Sequence, residues 1–66
     1  MHIQLNGELY TLENVQSVAG LLEHLQLAGR RVAVELNFEI VPRSLYETTL
    51  LKEGDALEIV HAIGGG

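Results

Sequence analysis

Gly64, Gly65 and Gly66 stand together at the end of the chain, directly after a run of strand character from Ala56 to Ile63. Glycine lacks a Cβ and costs the most entropy to order, so it finishes a strand badly and makes a good flexible thread. A thread of bare backbone can enter a tunnel too narrow for any side chain. The Gly66 carboxylate is then the group presented to another protein's active site. Three glycines in succession at one chosen place arise by chance on the order of a few times in ten thousand. The ordinary alternative is a frayed terminus. Other reactive side chains point to less. His2, His24 and His61 are scattered over a strand, a helix and a strand, and read as surface or hydrogen-bonded histidines. No Cys/His metal spacing, Ser/His/Asp arrangement or phosphate loop is present. Glu53 and Asp55 flank a glycine in a turn, where solvated charge is the ordinary explanation. The domain itself therefore reads as a non-enzyme that binds no metal or cofactor.

Length and charge narrow the classes further. With 66 residues, the chain is one small domain near the lower limit for folding alone. It has no cysteine, so a compact apolar core must supply the stability that disulfides give elsewhere. The formal charge is −5 with only four lysines and arginines, which argues against nucleic acid as a partner. Arg30, Arg31 and Arg43 remain a small local patch. An acidic surface suits a basic groove on a partner protein. No apolar run approaches the roughly 20 residues of a membrane helix, and Met1–Leu5 has no signal-type stretch. The expectation is an untargeted cytoplasmic protein with no membrane association.

The elements that must position the tail follow from periodicity. Ile3 and Leu5 alternate with polar neighbours, Asn6-Gly7 is a strong hairpin signal, and Leu9–Leu12 reads as the return strand. Ser17 is an N-cap for a helix whose apolar stripe is Val18, Leu21, Leu22 and Leu25, with Gly29 as its stop. Gly20 inside that helix suggests close packing on a flat surface. Val32, Val34 and Leu36 alternate as a further strand, Asn37-Phe38-Glu39 is a turn, and Ile40-Val41 is a short edge strand stopped by Pro42. Ser44 and Glu47 have capping-box spacing, which predicts a short helical turn. Lys52–Asp55 is a turn. Leu57 and Ile59, with Val60, Ala62 and Ile63, make the last strand apolar on both faces, as suits a sheet centre or an interface.

One helix stripe must bury itself against one sheet face, which gives a two-layer α+β domain. The last strand sits most simply beside and parallel to the first. That is the β-grasp arrangement: a mixed sheet of four to five strands, one main helix on one face, a domain over residues 1–63 and a flexible glycine tail over 64–66.

Several segments together resemble the ubiquitin-like sulfur carriers, and within them the ThiS-type carriers of thiazole (thiamine) biosynthesis. They are Ile3-Gln4-Leu5-Asn6-Gly7, Val18-Ala19-Gly20-Leu21-Leu22, Val32 to Asn37, Ile40-Val41-Pro42-Arg43, Glu53-Gly54-Asp55, and Glu58-Ile59-Val60 running into Ile63-Gly64-Gly65-Gly66. The resemblance covers the whole chain, and the Ile-Val-Pro-Arg stretch with the Gly-Gly end is its most specific part. Phe38 departs from the pattern, standing where such carriers often have glycine or a small polar residue.

The resemblance implies a chemistry for Gly66. An E1-like adenylyltransferase, using ATP and Mg, would convert the carboxylate to an acyl-adenylate. Sulfur from a persulfide, ultimately from a cysteine desulfurase, would displace AMP and leave a thiocarboxylate. Thiazole synthase would then receive the sulfur. Gly64 and Gly65 would thread the partners' tunnels. The expected docking surface is the outer sheet face around Val60 and Ala62, with Ile63 and the rim residue Arg43. Two relatives of this reading stay open, the small subunit of molybdopterin synthase and a ubiquitin-like modifier or binding module. So does an interaction module with an incidental tail.

Overall fold

The computed structural model describes residues 1–61. Its first strand, β1 (His2–Leu5), turns at Asn6-Gly7 into β2 (Glu8–Thr11), with His2 opposite Thr11 and Leu5 opposite Glu8. Both turn residues have positive φ, 52° and 84°, as a two-residue hairpin loop with the right twist requires. Asn6 also does a strand's work after β1 has ended. Its Oδ1 accepts from Ile59 N at 2.8 Å and its Nδ2 donates to Ile59 O at 3.3 Å.

The helix α1 spans Val18–His24, and the Ser17 hydroxyl accepts from Gly20 N at 3.0 Å. The other orphan donors of its first turn bond to a loop far along the chain: Val18 N to Thr49 O and Ala19 N to Tyr46 O. Val18, Leu21 and Leu22 are buried, as the stripe requires, while Leu25 is only half-buried. The helix stops before Gly29. Gln26 takes φ 62°, with Gln26 N bonded to Glu23 O and Leu27 N to Leu22 O. That is the Schellman pattern, and it satisfies the final carbonyls one turn early. Gly20 does not mark a close approach either. A Cβ there would meet only Ser17 Oγ at 3.4 Å and Val15 Cγ1 at 3.6 Å, which is ordinary contact.

The second hairpin joins β3 (Val32–Leu36) to β4 (Glu39–Val41), with Leu36 opposite Glu39. Its loop is Asn37-Phe38, at φ 51° and 71°. After Pro42 comes a 3-10 turn over Arg43–Leu45, without a side-chain cap, so the expected Ser44–Glu47 capping box is not formed. The last strand, β5 (Ala56–His61), lies in the middle of a five-stranded sheet of order β2-β1-β5-β3-β4. It runs parallel to β1 and antiparallel to β3, and β4 is an edge, as expected. Ile3, Leu12, Val34, Val41, Leu57 and Ile59 meet Val18, Leu21 and Leu22 of the helix in one core.

The Lys52–Asp55 turn differs from a solvated acidic pair. Asp55 is buried, and its carboxylate accepts from Lys52 N at 2.7 Å and Asn37 Nδ2 at 3.1 Å. Glu53 is the exposed member. It accepts from His2 N at 2.8 Å, and its other oxygen lies 3.1 Å from His2 Nδ1. The backbone hydrogen bond from His2 is the main cause holding the Glu53 carboxyl below its ordinary value. Among the described residues, no helix is long and apolar enough to cross a membrane.

Candidate functional site

The strand that leads to the glycines is held from both sides. Along β5, His61 faces Val32, Val60 faces Ala33, Ile59 faces Val34, Glu58 faces Glu35 and Leu57 faces Leu36. On the other side Ala56 and Leu57 pair with Gln4 and Leu5. Successive strand residues point to opposite faces. Because Leu57, Ile59 and Val34 are buried against the helix, Glu58, Val60, Ala33 and Glu35 occupy the outer face. Val60 is 58% exposed there, so it is not a core residue. Across the same face Ile40 of β4, opposite Glu35, and Leu9 of β2, opposite Gln4, are also largely exposed.

This outer face has open apolar side chains and two facing glutamates. A shallow pocket of about 100 Å³ opens on it, lined by Gln4, Glu35, Phe38, Ala56 and Glu58 among others. Sequence reading singled out Val60 and missed Glu35, Glu58, Ile40 and Phe38. The alternation of β3 and β5 places each glutamate on the face away from its strand's buried residues, but only the strand register puts the two opposite one another.

Arg43 lies elsewhere. It lines an open cleft of about 670 Å³ with Arg30, Glu23 and Glu47, between α1 and the 3-10 turn. That cleft belongs to the helix layer, whereas Val60 lies on the opposite side of the sheet. Ala62, Ile63, Gly64, Gly65 and Gly66 fall outside the described residues. The histidines are not brought together. His2 meets Glu53, His24 packs edge-on against Tyr10 at 6.1 Å between ring centres, and His61 is exposed at the end of β5. Among the described residues no group of histidines and carboxylates could hold a metal ion.

Comparison with known proteins bears on this arrangement. The family model described as the ThiS family matches residues 3–66. The thiazole synthase of Magnetococcus marinus is 46% identical over 66 residues, covering all of this chain and 20% of that protein. The chain thus spans about a fifth of the length of the thiazole synthases it matches. The sulfur carrier protein ThiS of Bacillus subtilis is 37% identical over 65 residues, covering 97% of this chain and 98% of that one. A crystal structure of the thiamine biosynthesis protein ThiS from Geobacter metallireducens superposes with a TM-score of 0.86 at 36% identity, over the full length of both chains. Matched by the family model through residue 66, and alike over nearly the whole Bacillus carrier, this chain belongs to the ThiS family.

Proposed function

We propose that this protein carries sulfur for thiazole assembly in thiamine biosynthesis, on the carboxylate of Gly66, and acts as a co-substrate of its partner enzymes and not as a catalyst. One observation carries the reading: the central strand β5 leads into Gly64-Gly65-Gly66, and the family match runs through those glycines. The name of the Bacillus relative supports a sulfur carrier over a modifier, and the match to thiazole synthases supports thiazole over a pterin product.

The chemistry follows from the weakness of a carboxylate as an electrophile, since its leaving group would be oxide. An adenylyltransferase with ATP and Mg converts the Gly66 carboxylate to an acyl-adenylate and releases pyrophosphate. The outer sulfur of a persulfide, supplied ultimately by a cysteine desulfurase, displaces AMP and forms an acyl disulfide. A thiol cleaves that disulfide, takes the inner sulfur into a new disulfide and leaves the thiocarboxylate. Its nucleophilic sulfur then passes to thiazole synthase. With no cysteine in the chain, the cargo sulfur is the only thiol-like group present.

The test is alkylation of the protein purified from its own host, with fragmentation to locate the adduct. Alkylation at Gly66 supports the carrier. No adduct, even after incubation with ATP, an adenylating enzyme and a sulfur donor, overturns it.

A further inference from the structure

We propose that the outer face of the sheet seats an arginine or lysine of a partner protein between Glu35 and Glu58, inside an apolar ring of Val60, Ile40 and Phe38. The inference rests on the carrier reading, because a carrier must be recognised by the enzymes that load and unload it.

The register places Glu35 and Glu58 directly opposite one another on β3 and β5. Such partners have Cβ atoms about 4.5–5.5 Å apart, and like charges there destabilise a sheet. The fold does nothing to relieve them. The one close contact between a basic and an acidic side chain among the described residues is His2 Nδ1 with Glu53, and it involves neither glutamate of the pair. None of the five strands carries a lysine or arginine, and all four cations, Arg30, Arg31, Arg43 and Lys52, lie outside them. The sheet therefore shows an acidic face with no lysine or arginine of its own.

The surroundings of the pair select the partner's chemistry. The shallow pocket beside it is lined by both glutamates, Gln4, Ala56 and Phe38. Two carboxylates and an aromatic ring suit a cationic side chain, through charge-assisted hydrogen bonds and cation–π contact. Phe38 is 84% exposed and stands at φ 71°, a conformation unfavourable for a bulky residue. Ile40 and Val60 are 66% and 58% exposed on the same face. Apolar groups around a charged centre describe a docking surface whose partner offers a basic residue ringed by apolar ones.

The test compares wild type, Glu35→Gln/Glu58→Gln and Glu35→Lys/Glu58→Lys for binding to the host's adenylating enzyme and to its thiazole synthase. Calorimetry at low and high salt reads the affinity, and alkylation of Gly66 after turnover reads the carrier function. The glutamine variant should fold with an unchanged or higher melting temperature. It should bind at least one enzyme roughly tenfold more weakly, with a flatter salt dependence, and the lysine variant should bind more weakly still. If both enzymes bind all three proteins within about twofold while Gly66 still acquires sulfur, the docking inference falls and the carrier reading stands. A lower melting temperature for the glutamine variant would make the pair structural and also overturn the inference. If wild type binds neither enzyme and gains no sulfur, both readings fall.

Discussion

Asn37 and Asp55 hold the tip of one hairpin against the start of the central strand. Asn37 Nδ2 donates to Asp55 Oδ1 at 3.1 Å, while Asn37 Oδ1 accepts from Ala56 N at 3.0 Å. The Asn37 backbone joins the same contact, its N bonding Ala56 O at 2.7 Å. Since Asp55 also caps Lys52 N, one buried carboxylate ties the last turn, the second hairpin and β5 together. Asp55→Ala leaves two donors without their acceptor, and each such loss costs about 1–3 kcal/mol. We expect urea unfolding to show a loss of about 2–3 kcal/mol. A loss within error would mean that the backbone bonds alone hold this corner.

Gly20→Ala should stabilise the protein by up to about 1 kcal/mol, the helix-propensity difference between the two residues. The added methyl group meets nothing closer than Ser17 Oγ at 3.4 Å. Thermal unfolding decides it, and a lower melting temperature would show that the methyl group disturbs the Ser17 cap.

Phe38→Gly should raise stability and lower partner affinity together. Glycine relieves a positive φ that costs a side-chain-bearing residue about 1–2 kcal/mol, partly offset by the entropy of glycine in the unfolded chain. It also removes the ring from the acidic pocket. Melting temperature and partner affinity are measured on one preparation, and a rise in both would remove Phe38 from the docking surface.

Val60→Asp should leave the fold intact, at a cost near or below about 1 kcal/mol for a strand position, because the side chain is open to solvent. Circular dichroism checks the fold and calorimetry checks partner binding. An unfolded variant would contradict the exposed placement of Val60, and undiminished binding would take it out of the interface.

Glu53→Gln should flatten the acid limb of the stability profile. The carboxyl is held below its ordinary value, chiefly by the His2 backbone N–H. The charged form is thus favoured by folding, so its contribution is present at neutral pH and lost as pH falls through the folded-state value. Melting temperatures from about pH 6 down to about pH 3 test this, wild type falling more steeply than the variant. The effect should be small, since both partners are well exposed.

Local signals carried most of the fold. Asn6-Gly7 marked the first hairpin, Ser17 the helix start, and Pro42 the edge strand, because each acts through its immediate neighbours. The helix end at Gln26 was hidden because glutamine carries no preference for a left-handed φ. Only the bonds to Glu23 and Leu22 reveal it. Asp55 read as solvated charge because its partner Asn37 lies 18 residues away. The apolar part of the outer sheet face was legible at Val60, whose strand is apolar on both sides. Its charged part was not, since Glu35 and Glu58 become neighbours only when β5 is laid antiparallel to β3.

The position of β5 also sets how the domain bears mechanical load. A pull applied beyond His61 enters the fold through a strand gripped on one side by β1 and on the other by β3. Force along that strand loads both ladders in shear, so many hydrogen bonds share it at once, where an edge strand would peel one bond at a time. A pull along β5 must therefore break its pairing with both neighbours before the strand can leave the sheet.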